Sequence, residues 1–333
     1  MGTTTPGLVF HGPHDVRVEE LVQPPLGRCD VLLDVEACGV CGSDLASYAH
    51  GHYIEPGQVM GHELSATVAA LGDSLEGLRV GERVAVRPMR SCGTCDYCAE
   101  GDTHLCGATA GRSLGYGAQG AFARQLLVPD VVVGRDLLPV PDHVDPFDLL
   151  WAEPLAVALH AVRLVGPGAN RRLLVTGAGA VGLAVTSAAI ALGLEVEVVE
   201  PLAERRAAAR DVGASAWAPG ELTETAAFDA LVDASGVPAA VTAVLSLLSP
   251  TAPVVLVGLN DAAVPWPVGG HRVIGSFAYV DSDFADAVDL IARGRVALGA
   301  MVTHRYPLGD ADRALGVPPP DDHVVKAAIV PRA

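Results

Sequence analysis

The chain of 333 residues reads as an α/β protein with two domains, one β-rich and one built on a doubly wound parallel sheet. Three observations predict this. The length exceeds what a single hydrophobic core usually serves. From Leu8 to about Val140, short strand-like runs are separated by Gly, Pro and Asp turns. Beyond Pro154, helical runs alternate with short apolar ones, the pattern of a parallel sheet wound with helices.

In the first region, Val31 to Val35 and Arg83 to Val86 have the β-branched and apolar content of strands. In the second, strands are expected at Arg172 to Thr176, Glu195 to Val199, Ala230 to Ala234, Val254 to Gly258 and Val273 to Phe277. Helices are expected at Leu155 to Val165 and Ala180 to Leu192. After Tyr279 come an amphipathic helix, Phe284 to Ala292, and strand-like runs at Met301 to His304 and Val324 to Val330. Two stretches without charge, Leu173 to Leu194 and Ala234 to Asn260, could pass for membrane spans. Gly177, Gly179 and Gly182 interrupt the first, and Pro238, Pro250 and Pro253 the second, so buried strands and helices explain them better.

Half of the residues are hydrophobic and 18% are charged, which fits a folded chain. The net charge of -17, with Lys326 as the only lysine, argues against nucleic acid or an anionic membrane as partner. The residues Met1 to Pro6 lack the basic and apolar regions of a signal peptide, so a cytoplasmic location is expected. In that setting seven cysteines, four of them crowded together, point to metal rather than to disulfides.

The crowded four are Cys92, Cys95 and Cys98, each separated by two residues, and then Cys106. Cys-x2-Cys turns let neighbouring thiolates converge, and four thiolates close a tetrahedron around one zinc. A site with every position filled by protein holds shape and performs no chemistry, so this is read as structural zinc that orders a polar lobe at residues 90–108. A second set is scattered: Cys41 in Gly-Val-Cys-Gly-Ser-Asp, His62 and Glu63 in Gly-His-Glu, and Glu153 before Pro154-Leu155. Such residues suit a catalytic zinc, which needs three protein ligands and an open position. Asp44 is suited to orient the His62 ring.

The third signal is Gly177-Ala178-Gly179-Ala180-Val181-Gly182, directly after one expected strand and opening one expected helix. Backbone amides at such a helix start cradle a pyrophosphate. The next strand ends in Glu200, whose carboxylate accepts hydrogen bonds from the adenine ribose and repels a 2′-phosphate, favouring NAD over NADP. Arg205 can reach the same ribose; with Arg206 it is also the residue type that a phosphate would attract.

Together these motifs resemble the zinc-containing medium-chain dehydrogenase/reductase family over essentially the whole chain. The resemblance implies a GroES-like catalytic domain at residues 1–153 and 279–333, with a Rossmann domain inserted at residues 154–278, in a homodimer or homotetramer. It implies two zinc ions per chain. Cys41 and His62 correspond to catalytic ligands, while Glu63 and Glu153 correspond to carboxylates that ligate directly or exchange with water. Gly236, Val257 and Gly258 correspond to positions lining the cofactor. Glu153 in Glu-Pro-Leu resembles sorbitol, threonine and other polyol dehydrogenases, where long-chain alcohol dehydrogenases carry a cysteine. The stretches Glu153 to Val162 and Glu200 to Ala209 also resemble aminocyclitol dehydrogenases.

The expected reaction is hydride transfer between NAD and a secondary alcohol of a polyol, sugar alcohol or (amino)cyclitol, a small-molecule substrate. Ser43 is expected to pass the hydroxyl proton outward. Many family members carry a relaying histidine five residues after the ligand cysteine; Ala46 stands there, so the next group after Ser43 is open. A threonine or butanediol dehydrogenase fits the same ligand set. A zinc-free NADPH-dependent enone or quinone reductase, or a non-catalytic member of the fold, would not require Cys41, Ser43, Asp44, His62 and Glu153 together.

Overall fold

The computed structural model describes residues 4–166, 171–222, 227–258, 270–316 and 324–332. The chain divides into two compact units: residues 1–153 with 280–333, and residues 154–279. Among the described residues no helix is long and apolar enough to cross a membrane.

The first unit is organised around a seven-stranded sheet. Its main path runs Val302–Pro307, Lys326–Val330, Val31–Gly39, Glu63–Leu71, Arg83–Val86 and Leu137–Pro139, with Gln125–Val128 also paired to Val31–Gly39. Val31–Gly39 alternates as a strand with one face on a core should: Val31, Leu33, Val35 and Ala37 are buried, and Leu32, Asp34 and Glu36 are partly exposed. The C-terminal strand lies beside this early one, with Ile329 opposite Cys38 and Ala328 opposite Gly39. An antiparallel hairpin, Thr4–Gly12 with Asp15–Val22, packs Leu8, Val9 and Phe10 into the same core.

The second unit is a six-stranded parallel sheet in the order Ser215–Trp217, Glu195–Val199, Arg172–Thr176, Ala230–Asp233, Val254–Leu256 and Val273–Gly275. Strand order reverses on the two sides of Arg172–Thr176. In open parallel sheets such a reversal makes a crevice at the carboxyl ends of the strands. The helix Ala180–Ala191 is buried over most of its length, and its many alanines allow close approach to the sheet. The charge-free stretch Leu173 to Leu194 is therefore a strand and helix of this core. Ser215–Trp217 was missed in the sequence because three residues are too few to display a period.

Candidate active site

Cys41 immediately precedes the helix Gly42–His50, and its backbone N–H donates to Asp44 Oδ2 at 2.9 Å, in the helix's first turn. Asp44 is buried, and its other oxygen lies 3.7 Å from His62 Nδ1. That separation is an ion-pair contact rather than a hydrogen bond. One carboxylate thus fixes the backbone that carries the thiol and faces the ring. Glu63 begins the neighbouring strand, opposite Gly39. Ligand atoms of Cys41, His62 and Glu63 all lie within 4.8 Å of one another. Burial disfavours charge on His62, but Asp44 and Cys41 outweigh it and raise the imidazole well above its ordinary value.

Glu63 is paired with the Nζ of Lys326, and both side chains are buried. Space for the pair depends on Gly39, where a Cβ would lie 2.4 Å from Glu63 Oε2 and 2.9 Å from Lys326 Cε. Lys326 Nζ also sits 5.5 Å from the centroid of the Trp151 ring, a cation–π contact. Glu153 falls outside the set of mutually close ligands. It is still coupled to it: burial and repulsion from Glu63 and Asp44, against attraction to His62 and Lys326, push its carboxyl up to about 7.

The donor set fits zinc. A sulfur, an imidazole and a carboxylate converge, the last two buried and Cys41 half-buried, and His62 Nδ1 is buried without a hydrogen-bond partner. Elsewhere in the unit, the sulfurs of Cys92, Cys95, Cys98 and Cys106 lie within 4.8 Å of one another. Cys95 and Cys98 are 3.5 Å apart, and Cys92 and Cys98 are 3.9 Å apart. A zinc tetrahedron with Zn–S of about 2.3 Å has edges of about 3.8 Å, whereas a disulfide would require about 2.05 Å. Hydrogen bonds from Thr94 and from the backbone bring the Cys92 thiol down to about 5, the direction that prepares it to ligate.

In the second unit, the glycine-rich turn occupies the strand-order reversal. Gly177 has φ +92°, and a Cβ there would lie 3.0 Å from the Ser235 backbone; a Cβ on Gly182 would come within 2.0 Å of Gly177 O. A Cβ on Gly258 would lie 2.1 Å from Gly236 N, so the two loops carrying Gly236 and Val257-Gly258 touch backbone to backbone. Asp233 ties the region together. Its carboxylate accepts from Thr176, from the Ser235 hydroxyl and from the Ser235 and Gly236 amides, and its carbonyl accepts from the Val257 and Gly258 amides. Ala180 and Val181 open the helix after the turn. Glu200 is buried, accepting from the Ala178 amide at 2.8 Å and the Leu202 amide at 2.9 Å. Arg205 Nη1 lies 3.9 Å from where a Gly179 Cβ would sit, while Arg206 turns away to the carbonyls of Glu200 and Pro201.

Residues 27–142 match the family model of the alcohol dehydrogenase GroES-like domain, and residues 180–293 match that of the zinc-binding dehydrogenases. The chain is 32% identical to a 2-dehydro-3-deoxy-L-galactonate 5-dehydrogenase of Pseudoalteromonas atlantica, over 86% of each chain. The chain belongs to the zinc-type medium-chain dehydrogenases. This dehydrogenase is also 28% identical to sorbitol dehydrogenase of Bombyx mori, over 92% of this chain and 93% of that protein. It superposes with a TM-score of 0.89 on a protein of Sinorhizobium meliloti 1021 described as a zinc-binding dehydrogenase bound to NADP. The two are 28% identical, over 98% of this chain and 99% of the other. The dehydrogenase is therefore an oxidoreductase with GroES-like and Rossmann-like domains, in a family that uses zinc and a nicotinamide dinucleotide.

Two residues beside the candidate metal site went unread in the sequence. Lys326 was visible only as the sole lysine. Tyr116, whose hydroxyl is hydrogen-bonded to Ser43 Oγ and whose ring centroid lies 4.8 Å from that of His62, sits in no motif. The glycines on either side of it, Gly115 and Gly117, were the available signal, because paired glycines mark a tight turn.

Proposed function

We propose that this chain is a zinc- and NAD-dependent dehydrogenase of a secondary alcohol in a small polyol, sugar alcohol, sugar acid or (amino)cyclitol. The observation that carries the reading is the convergence of half-buried Cys41 with buried His62 and Glu63, with Asp44 behind the imidazole. Cys41 and His62 would hold the catalytic zinc, with Glu63 or Glu153 completing its shell; Cys92, Cys95, Cys98 and Cys106 would hold a second, structural zinc. Residues 1–153 with 280–333 would form the catalytic domain, and residues 154–279 the NAD-binding domain. The relatives named above, a sugar-acid and a polyol dehydrogenase, support the substrate class.

When bound, the metal would supply the positive charge that favours loss of the substrate's hydroxyl proton, and the dinucleotide would supply the hydride acceptor. The chain does the rest. Asp44 orients the imidazole, Lys326 holds Glu63 by an ion pair, and Ser43 Oγ takes the hydroxyl proton and passes its own outward. The amides at Gly179 to Val181 would hold the pyrophosphate, Gly236 and Val257-Gly258 would line the adenosine and nicotinamide ends, and Glu200 would favour a free ribose 2′-hydroxyl, hence NAD. A cytoplasmic homodimer or homotetramer completes the reading.

The test is NAD reduction with a panel of polyols, sugar acids and cyclitols that also contains threonine and butanediol. Turnover with a polyhydroxylated alcohol, abolished in Cys41→Ala, is expected. Full activity in that variant would exclude the zinc mechanism, and faster reduction of NADP than of NAD would overturn the role given to Glu200.

A further inference from the structure

We infer that Tyr116 is the group that follows Ser43 in the proton path, so that two hydroxyls relay the substrate's proton to solvent. This inference rests on the role proposed for Ser43. Three geometric features support it.

First, the two hydroxyls are hydrogen-bonded to each other. A serine hydroxyl has one proton to give and two lone pairs, so it can accept a proton only if another acceptor takes its own. Tyr116 Oη is such an acceptor, and Ala46 removes the histidine that could otherwise serve. Second, Tyr116 is held in place by its backbone. It stands between Gly115 at φ +75° and Gly117 at φ +90°, in a turn closed by its own N–H to Ser113 O at 3.0 Å. A Cβ on Gly115 would lie 2.9 Å from Gly61 O, and one on Gly117 would lie 2.1 Å from Ala110 O. The turn is therefore pressed on the backbone immediately before His62, and the amides of Ala121 and Phe122 bond to Gly61 O and Met60 O to keep it there. Third, the Tyr116 ring is tilted 45° over His62, with the residue only partly buried.

The step balances. The substrate's hydroxyl proton forms a bond to Ser43 Oγ, the original Ser43 proton passes to Tyr116 Oη, and the original Tyr116 proton passes to a solvent water. Each oxygen of the protein ends as it began. Tyr116 acts through Ser43 and is a positioning residue rather than one that touches the reacting atoms.

The experiment compares the zinc- and NAD-loaded parent with Tyr116→Phe, Ser43→Ala and the double variant. Tyr116→Phe is expected to lower kcat roughly 10- to 100-fold at neutral pH, with zinc content, unfolding midpoint and NAD affinity unchanged. The double variant should be no slower than Ser43→Ala alone. A second readout uses no substrate: with Cζ-labelled tyrosine, Ser43→Ala should shift one of the six tyrosine carbon signals, the one absent from Tyr116→Phe. A kcat within twofold of the parent, single effects that multiply in the double variant, or an unmoved tyrosine signal would overturn the relay. If Tyr116→Phe fails to fold, tyrosine labelled only at position 116 identifies the signal, and its failure to move in Ser43→Ala overturns the relay. A parent that oxidises no alcohol in the panel would instead sink the functional reading and the relay with it, and a moved tyrosine signal would then report only the hydrogen bond.

Discussion

Asp136 illustrates how one side chain can hold a loop together. Its carboxylate is fully buried and accepts from Arg87 at 2.9 Å, from Arg135, and from the Val132 amide at 3.0 Å, with Arg90 3.5 Å away. Burial works to raise its pKa, but hydrogen bonds from Arg135 and Arg87 outweigh that and leave it below the usual carboxylate value. The folded value is therefore lower than the unfolded one, near 3.9. The sign follows: the ion pairs stabilise fully above that unfolded value, and the contribution disappears as pH falls through the lower folded value. Asp136→Asn should cost about 3–5 kcal/mol at neutral pH, because it strands buried guanidinium groups. Urea unfolding of both proteins should show that gap closing in acid, whereas a constant gap would mean that packing rather than charge is responsible. The same scale governs His62, where the charge favoured by Asp44 and Cys41 must leave as a proton before zinc can bind the nitrogen.

At the scale of elements, the glycine-rich turn is a contact between backbones rather than a flexible hinge. Gly177, Gly182 and Gly258 each lack a Cβ where one would meet main-chain atoms, those of Gly236 in the last case, and Asp233 ties together the loops that bring them close. Gly182→Ala, which would put a methyl group 2.0 Å from Gly177 O, should weaken NADH binding at least about tenfold, or about 1.4 kcal/mol. Fluorescence titration measures this directly. Gly309→Ala, where a Cβ would meet nothing within 4 Å, should bind NADH as the parent does. Equal affinity in both variants would show that the loop yields without cost.

For the whole molecule, the metal content is decisive. Two separate donor sets, one of four sulfurs and one mixed, predict about two zinc ions per chain by elemental analysis. Cys95→Ala should lose one zinc and expose residues 92–106 to proteases while Cys41 to Glu63 still bind the other. Loss of both ions in that variant would mean that the two sites fold as one. The charge of -17 supports the same picture of a protein selected for small solutes rather than for polyanions.

Features encoded at short range can be read from the residues alone. Four cysteines within fifteen residues can reach a single ion through local turns, and a strand followed by Gly-x-Gly-x-x-Gly has few ways to fold, so the structural lobe and the nucleotide turn were legible residue by residue. The family resemblance extended that reading to Cys41 and His62. Which distant groups face one another emerges only in the folded chain. The C-terminal strand pairs with Val31–Gly39, which in turn pairs with the strand of Glu63, and this register delivers Lys326 to Glu63 over a glycine. A glycine-flanked turn carries Tyr116 to Ser43, and Glu153 stays outside the closest ligand set. Sheet register and loop packing are sums of many weak contacts spread along the chain, so no local spacing records them.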